Sequence, residues 1–130
     1  MGVAARVANE RLEDVDRHPE TVGYAIRGER RASPDTRLLF CTTGVVLRRL
    51  GSGDLDLQGV SHVIVDEAHE RGVDTDLLIC LLRDLLERNK TIKVSLVEGF
   101  SASSSITLFS PSPSSEPSEE WSDIRCWAVL

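Results

Sequence analysis

Apolar residues along the chain change period several times, and each change marks an element. Val3, Val7 and Leu12 fall near helical spacing and predict a helix over 3–12. Thr21 to Arg27 is strand-like, and Thr36 to Cys41 is an apolar run short enough for a buried strand. Thr42 to Leu50 then reads as a short helix opened by a hydroxyl cap. Gly51 to Gly59 is a loop, and Val60 to Val65 is a β-branched strand. The clearest helix runs from Thr75 to Arg88. Leu78, Leu81, Leu82 and Leu85 share one face of it, and Asp74 to Asp76 sit at its positive end. Ile92 to Val97 is a final strand. Strands alternating with helices predict α/β architecture: a parallel sheet flanked by helices.

This periodicity stops near residue 98, which divides the chain into a body, 1–98, and a tail, 99–130. The tail holds ten Ser and three Pro. Stretches such as Ser101-Ala-Ser-Ser-Ser bury too little surface to offset the entropy of ordering them, so the tail is expected to be disordered. Trp121 and Trp127 are its only large apolar groups apart from Phe100 and Phe109.

Aromatics are only 5% of the 130 residues, so the core is built from Leu, Val, Ile and Ala. A formal net charge of -6 excludes a generally basic protein that coats nucleic acid, but not a local basic face. Residues 1–50 carry nine Arg against seven acids, while 51–98 carry five cations against ten. Three cysteines, without a CxxC pair, argue against a disulfide framework or a structural zinc site. No apolar run approaches the roughly 20 residues of a membrane span, and no signal peptide is evident. An intracellular setting without membrane contact is expected, nuclear or cytoplasmic.

The informative stretch is Val63-Ile-Val-Asp66-Glu67-Ala-His69-Glu-Arg71. A β-branched run ends abruptly in two carboxylates. In an open parallel sheet the carboxyl ends of the strands are where ligands bind. One acid there can hold Mg²⁺, a hard cation that prefers oxygen. The next can orient or deprotonate an attacking water. By itself the pair also fits two solvated acids at a strand-to-helix turn.

Asp66-Glu-Ala-His-Glu-Arg71 resembles the motif II box of the DEAH-type RNA helicases of superfamily 2. Val22-Gly-Tyr-Ala-Ile-Arg27 resembles the segment before motif Ib of that family. Thr36-Arg-Leu-Leu-Phe-Cys-Thr-Thr-Gly-Val-Val-Leu-Arg-Arg49 resembles motif Ib and its strand. Leu57 to Val65 leads into the box as the family does, and Thr75-Asp-Leu-Leu78 resembles the helix that follows. Order and spacing agree over about residues 3–97. The resemblance implies part of the first RecA-like domain of an ATP-dependent RNA helicase, with ATP, Mg²⁺ and RNA as ligands and helicase cofactor proteins as possible partners. It gives Asp66 the Mg²⁺ of Mg-ATP, Glu67 the hydrolytic water, and His69 the coupling of the γ-phosphate to neighbouring motifs. Thr42, Thr43 and Gly44 would contact the RNA backbone, with Arg48 or Arg49 adding charge.

The same family uses a Gly-rich loop ending in Lys and Ser or Thr, and no GxxxxGK[ST] occurs in these residues. Its phosphate loop and first strand would lie before Met1. Lys93 to Val97 does not run directly into Ser-Ala-Thr; Ser101-Ala102-Ser103 follows after an offset. The expectation is therefore a fragment that is inactive as an isolated chain and carries an unpaired sheet edge where the first strand is missing. The alternatives are a non-catalytic module that binds RNA or a partner, or an aberrant gene product without a role.

Overall fold

A computed structural model describes residues 2–14, 21–70, 72–97, 106–109 and 125–130. Three helices flank one seven-stranded sheet. The elements are α1 (Gly2–Glu10), β1 (Val22–Ile26), β2 (Glu29–Arg31), β3 (Leu38–Cys41), α2 (Thr43–Gly51), β4 (His62–Val65), α3 (Val73–Arg88), β5 (Lys93–Val97), β6 (Ile106–Phe109) and β7 (Cys126–Val129). The strand order is β2-β1-β3-β7-β4-β5-β6. Pairing is parallel from β1 through β5, and only the outer strands β2 and β6 are antiparallel. The predicted α/β architecture is the one found.

Strand alternation divides the apolar side chains between two faces. Ala25, Leu39, Cys41, Val63, Val65, Trp127 and Val129 form one face with Val46 and Leu50 of α2 and Leu78, Leu82 and Leu85 of α3. Val22, Tyr24, Phe40 and Ala128 form the other face, against Ala4 and Ala8 of α1. The two alanines are spaced i, i+4 and fully buried, so the small side of α1 lies directly on the sheet. Leu81 is only partly buried, which narrows the predicted leucine face of α3.

Two backbone features shape the edge of the sheet. Arg27-Gly28 is the two-residue connection between β1 and β2, and Gly28 has φ +86°. A Cβ on Gly23 would lie 2.6 Å from the Arg31 carbonyl oxygen, so only glycine lets β2 and the chain after it approach β1 this closely.

Strand β7 corrects the expectation of an unpaired edge. It lies in the middle of the sheet, between β3 and β4, in parallel register with both. Cys126 N–H donates to Arg37 O at 2.6 Å and Leu130 N–H to Cys41 O at 2.9 Å. On the other side, Ser61 and His62 N–H donate to Arg125 O, and Asp66 N–H donates to Val129 O at 2.9 Å. Ser61 Oγ donates to Arg125 O at 3.0 Å and accepts from Arg125 N at 2.9 Å. The reason is backbone accounting: without β7, the inner edges of β3 and β4 would hold unpaired N–H and C=O groups beside buried side chains. The sheet thus takes β6 and β7 from beyond residue 98, and Ile92–Val97 does not supply its last strand. The rest of the stretch expected to be disordered, including Ser101-Ala102-Ser103, lies outside the described residues.

All three cysteines are free thiols. Burial, with Cys126 nearby, pushes the Cys41 thiol up to about 12, so it is inert at neutral pH. Among the described residues no helix is long and apolar enough to cross a membrane.

Candidate functional site

The residues singled out by the sequence converge on the carboxyl edge of the sheet. Strand β4 ends at Val65, and Asp66 and Glu67 turn out of the sheet into a single 3-10 turn, Ala68–Glu70. Glu67 has φ +50°, a left-handed conformation that costs a non-glycine residue roughly 1 kcal/mol. Its N–H donates to Asp66 Oδ1 at 2.9 Å, which holds this turn. The other end of the turn is closed by Glu70 N–H on Glu67 O at 3.0 Å. Asp66 is half-buried, while Glu67 and His69 are exposed.

His69 Nε2 lies 3.3 Å from Glu67 Oε2. The two side chains are 47% and 54% exposed, so this pair contributes little to stability even with the imidazole protonated. It does tie the imidazole to the carboxylate. One oxygen of Asp66 is used by Glu67 N–H, which leaves the second for a ligand. Among the described residues no group of three His, Cys, Asp or Glu gathers as a metal site. A single carboxylate still fits Mg²⁺, which commonly takes one or two protein carboxylates and completes its octahedron with water and phosphate oxygens.

The second part of the site is the start of α2. Thr42 is the N-cap in extended conformation, and Val45 N–H donates to its carbonyl at 2.9 Å. Its side chain makes no cap hydrogen bond, which corrects the expected hydroxyl cap. Thr42 and Gly44 are exposed and Thr43 is half-buried. Nothing lies within 4 Å of a Cβ placed on Gly44. A hydroxyl and the first free N–H groups of a helix therefore face open space, an arrangement that suits phosphate. Only β7 separates β3 from β4, so Thr42 and Asp66 follow strands roughly 10 Å apart on one edge.

The two arginines of α2 part company. Arg48 is exposed. Arg49 turns inward: its Nε pairs with Asp54, its Nη2 donates to Gln58 O at 2.6 Å, and its guanidinium lies 4.7 Å from the Trp127 ring centre. Gln58 N–H first, and Arg49 with it, hold the Asp54 carboxyl below its ordinary range against the effect of burial. Arg49 is thus engaged in holding α2 onto β7, and Arg48 keeps the open charge. Sequence reasoning missed this contact, because a lone Trp in a Ser-rich tail gives no signal of its place in the sheet. It also missed the Val129 carbonyl that receives Asp66 N–H.

No family model matches the chain. At 61% identity over 104 residues it is similar to a putative DEAH-box ATP-dependent helicase of Mycosarcoma maydis, covering 75% of this chain and 7% of the relative. It is 50% identical over 110 residues to a DExH-box ATP-dependent RNA helicase of Arabidopsis thaliana, covering 85% of this chain and 9% of the relative. Among solved structures, the E. coli DExH-box NTPase HrpB matches 98% of this chain and 12% of its own length, with a TM-score of 0.60 and 27% identity. The chain therefore spans about a tenth or less of the relatives it matches.

Proposed function

We propose that this chain, whose sequence and fold are those of a segment of the DExH-box ATP-dependent RNA helicases, carries the motif II and motif Ib half of an RNA-stimulated ATPase site. In this reading residues 1–98 are part of the first RecA-like domain, and 99–130 are a polar extension that lends the sheet β7. The observation that carries the reading is the shared edge: an Asp66–Glu67 turn after a central strand, one strand removed from the open helix start at Thr42 to Gly44.

Bound Mg-ATP would bring the phosphoryl group and the metal charge. The free oxygen of Asp66 would hold the metal, directly or through water. Glu67, swung out by its left-handed backbone, would orient a water and take its proton. His69, tied to Glu67, would report the state of the γ-phosphate to neighbouring segments. Thr42, Thr43 and Gly44 would bind an RNA phosphate without reading bases, and Arg48 would add charge. Helicase cofactor proteins would be partners of the longer assembly.

These 130 residues hold no Gly-rich loop with Lys, and phosphoryl transfer depends on such positioning. We therefore propose that they do not turn over ATP alone. Calorimetric titration of the folded chain with Mg-ATP tests this, with no binding as the expected result. Mg²⁺-dependent binding that is lost in Asp66→Ala would refute the proposed inactivity. In a longer protein that supplies the loop, Glu67→Gln is expected to cut hydrolysis at least a hundredfold while ATP still binds. Unchanged turnover would remove Glu67 from its role. The unused Thr42 hydroxyl favours a second reading, RNA binding without catalysis, which shares the same residues.

A further inference from the structure

A cavity of about 340 Å³ opens beside α2, away from Asp66 and Glu67. Its lining is Ala25, Leu39 and Trp127 from the sheet, Val45 and Arg49 from α2, and Arg30 from β2. Arg30 is the register partner of Ala25, so its side chain leaves the sheet on the same face as Ala25, Leu39 and Trp127. Val45 follows Gly44 directly, so the cavity adjoins the proposed RNA contact. Its floor is apolar and its rim is cationic. Residues 21–50 carry six Arg against two acids, in a chain whose formal net charge is -6. Of the two acids, Glu29 accepts from the Tyr24 hydroxyl at 2.8 Å and pairs with Arg31. Arg49 is paired with Asp54, so its charge is largely spent. Arg27, Arg30 and Arg48 are exposed and form no ion pair with a described residue.

We propose that this cavity receives one nucleotide of a single RNA strand held at Thr42 to Gly44, its base on the floor of Ala25, Leu39 and Trp127 and its phosphate on Arg30. The proposal rests on the RNA-binding reading and adds a base-sized subsite to it. A flat apolar floor with a cation at its edge is the chemistry that single strands use, and it tolerates any base. The volume is at the small end of ligand pockets, which suits one nucleotide. Arg49 is a positioning residue here: it holds the Trp127 ring in the floor and leaves the phosphate to Arg30.

The test is fluorescence anisotropy of a labelled single-stranded ten-nucleotide RNA with the full chain in low salt, together with Trp emission. A Trp121→Phe background makes Trp127 the only tryptophan. RNA is expected to change Trp127 emission. Arg30→Ala, an exposed change, is expected to weaken binding roughly tenfold, to lower the log–log salt slope by about 0.7, and to remove most of the emission change. Thr43→Ala with Gly44→Ala is expected to weaken binding with the emission change retained at saturation. If the Thr43/Gly44 variant weakens binding but Arg30→Ala and Trp127 emission do not respond, the subsite is wrong and the RNA reading stands. If RNA does not bind at low salt, both fall. If polyglutamate of equal charge displaces the RNA and shifts Trp127 emission equally well, the site takes an acidic peptide and the nucleotide assignment is overturned.

Discussion

Replacing Trp127 by alanine probes the least expected feature of the fold, a strand from a Ser-rich tail at the centre of the sheet. Trp127 is 8% exposed and stands between Leu39 of β3 and Val63 of β4 in register. Truncating a buried Trp to Ala costs about 3–5 kcal/mol, the transfer of the ring plus the void it leaves. Loss of the Arg49 contact at 4.7 Å adds about 0.5–1 kcal/mol. A small domain has only about 5–15 kcal/mol in total, so the change removes a large share of it. The assay is urea unfolding followed by far-UV circular dichroism, in a Trp121→Phe background that serves as the parent. The alanine variant is expected to lose at least about 3 kcal/mol, and Trp127→Phe, which keeps a ring on the floor, less than half of that. In the folded parent Trp127 emission should be blue-shifted and weakly quenched by iodide. A loss under about 0.5 kcal/mol, with emission like that of free tryptophan, would show that β7 is not in the sheet, and the argument from backbone pairing would fail with it.

Gly23→Ala forces a Cβ to within 2.6 Å of the Arg31 carbonyl, backbone that cannot yield without moving β2, and is expected to cost about 1–3 kcal/mol in the same assay. Glu13 gives a pH dependence with a defined sign. Burial would raise its pKa, but the Thr21 side chain, Arg11 and the backbone N–H groups of Thr21 and Val22 outweigh this and lower it to about 2. A carboxyl with a depressed folded pKa stabilises fully above its unfolded value of 4.5 and loses that contribution as pH falls towards 2. Up to about 3 kcal/mol is expected to disappear across that window, and Glu13→Gln is expected to flatten this part of the stability–pH profile.

The sequence by itself determined the elements from α1 to β5, because each is long enough for its period to be read and each buries a face its own pattern defines. The leucines of α3 and the β-branched β4 are examples, although Leu81 turned out only half-covered. The Asp66–Glu67 turn and the Thr42–Gly44 helix start were legible for the same reason: they follow such runs directly. The tertiary structure alone decided what local pattern does not encode. Cys126-Trp-Ala-Val129 is four residues, too short to show a period, and it is a strand because the β3 and β4 edges need partners. Glu29–Arg31 is a strand because Gly23 admits its backbone. Arg48 and Arg49 look alike in sequence, but only Arg49 meets Asp54 and Trp127, since the helix turns one inward and the other out. The unused Thr42 hydroxyl is likewise a property of local geometry and not of residue type. Long-range pairing set all four, and a chain read one window at a time carries no record of it.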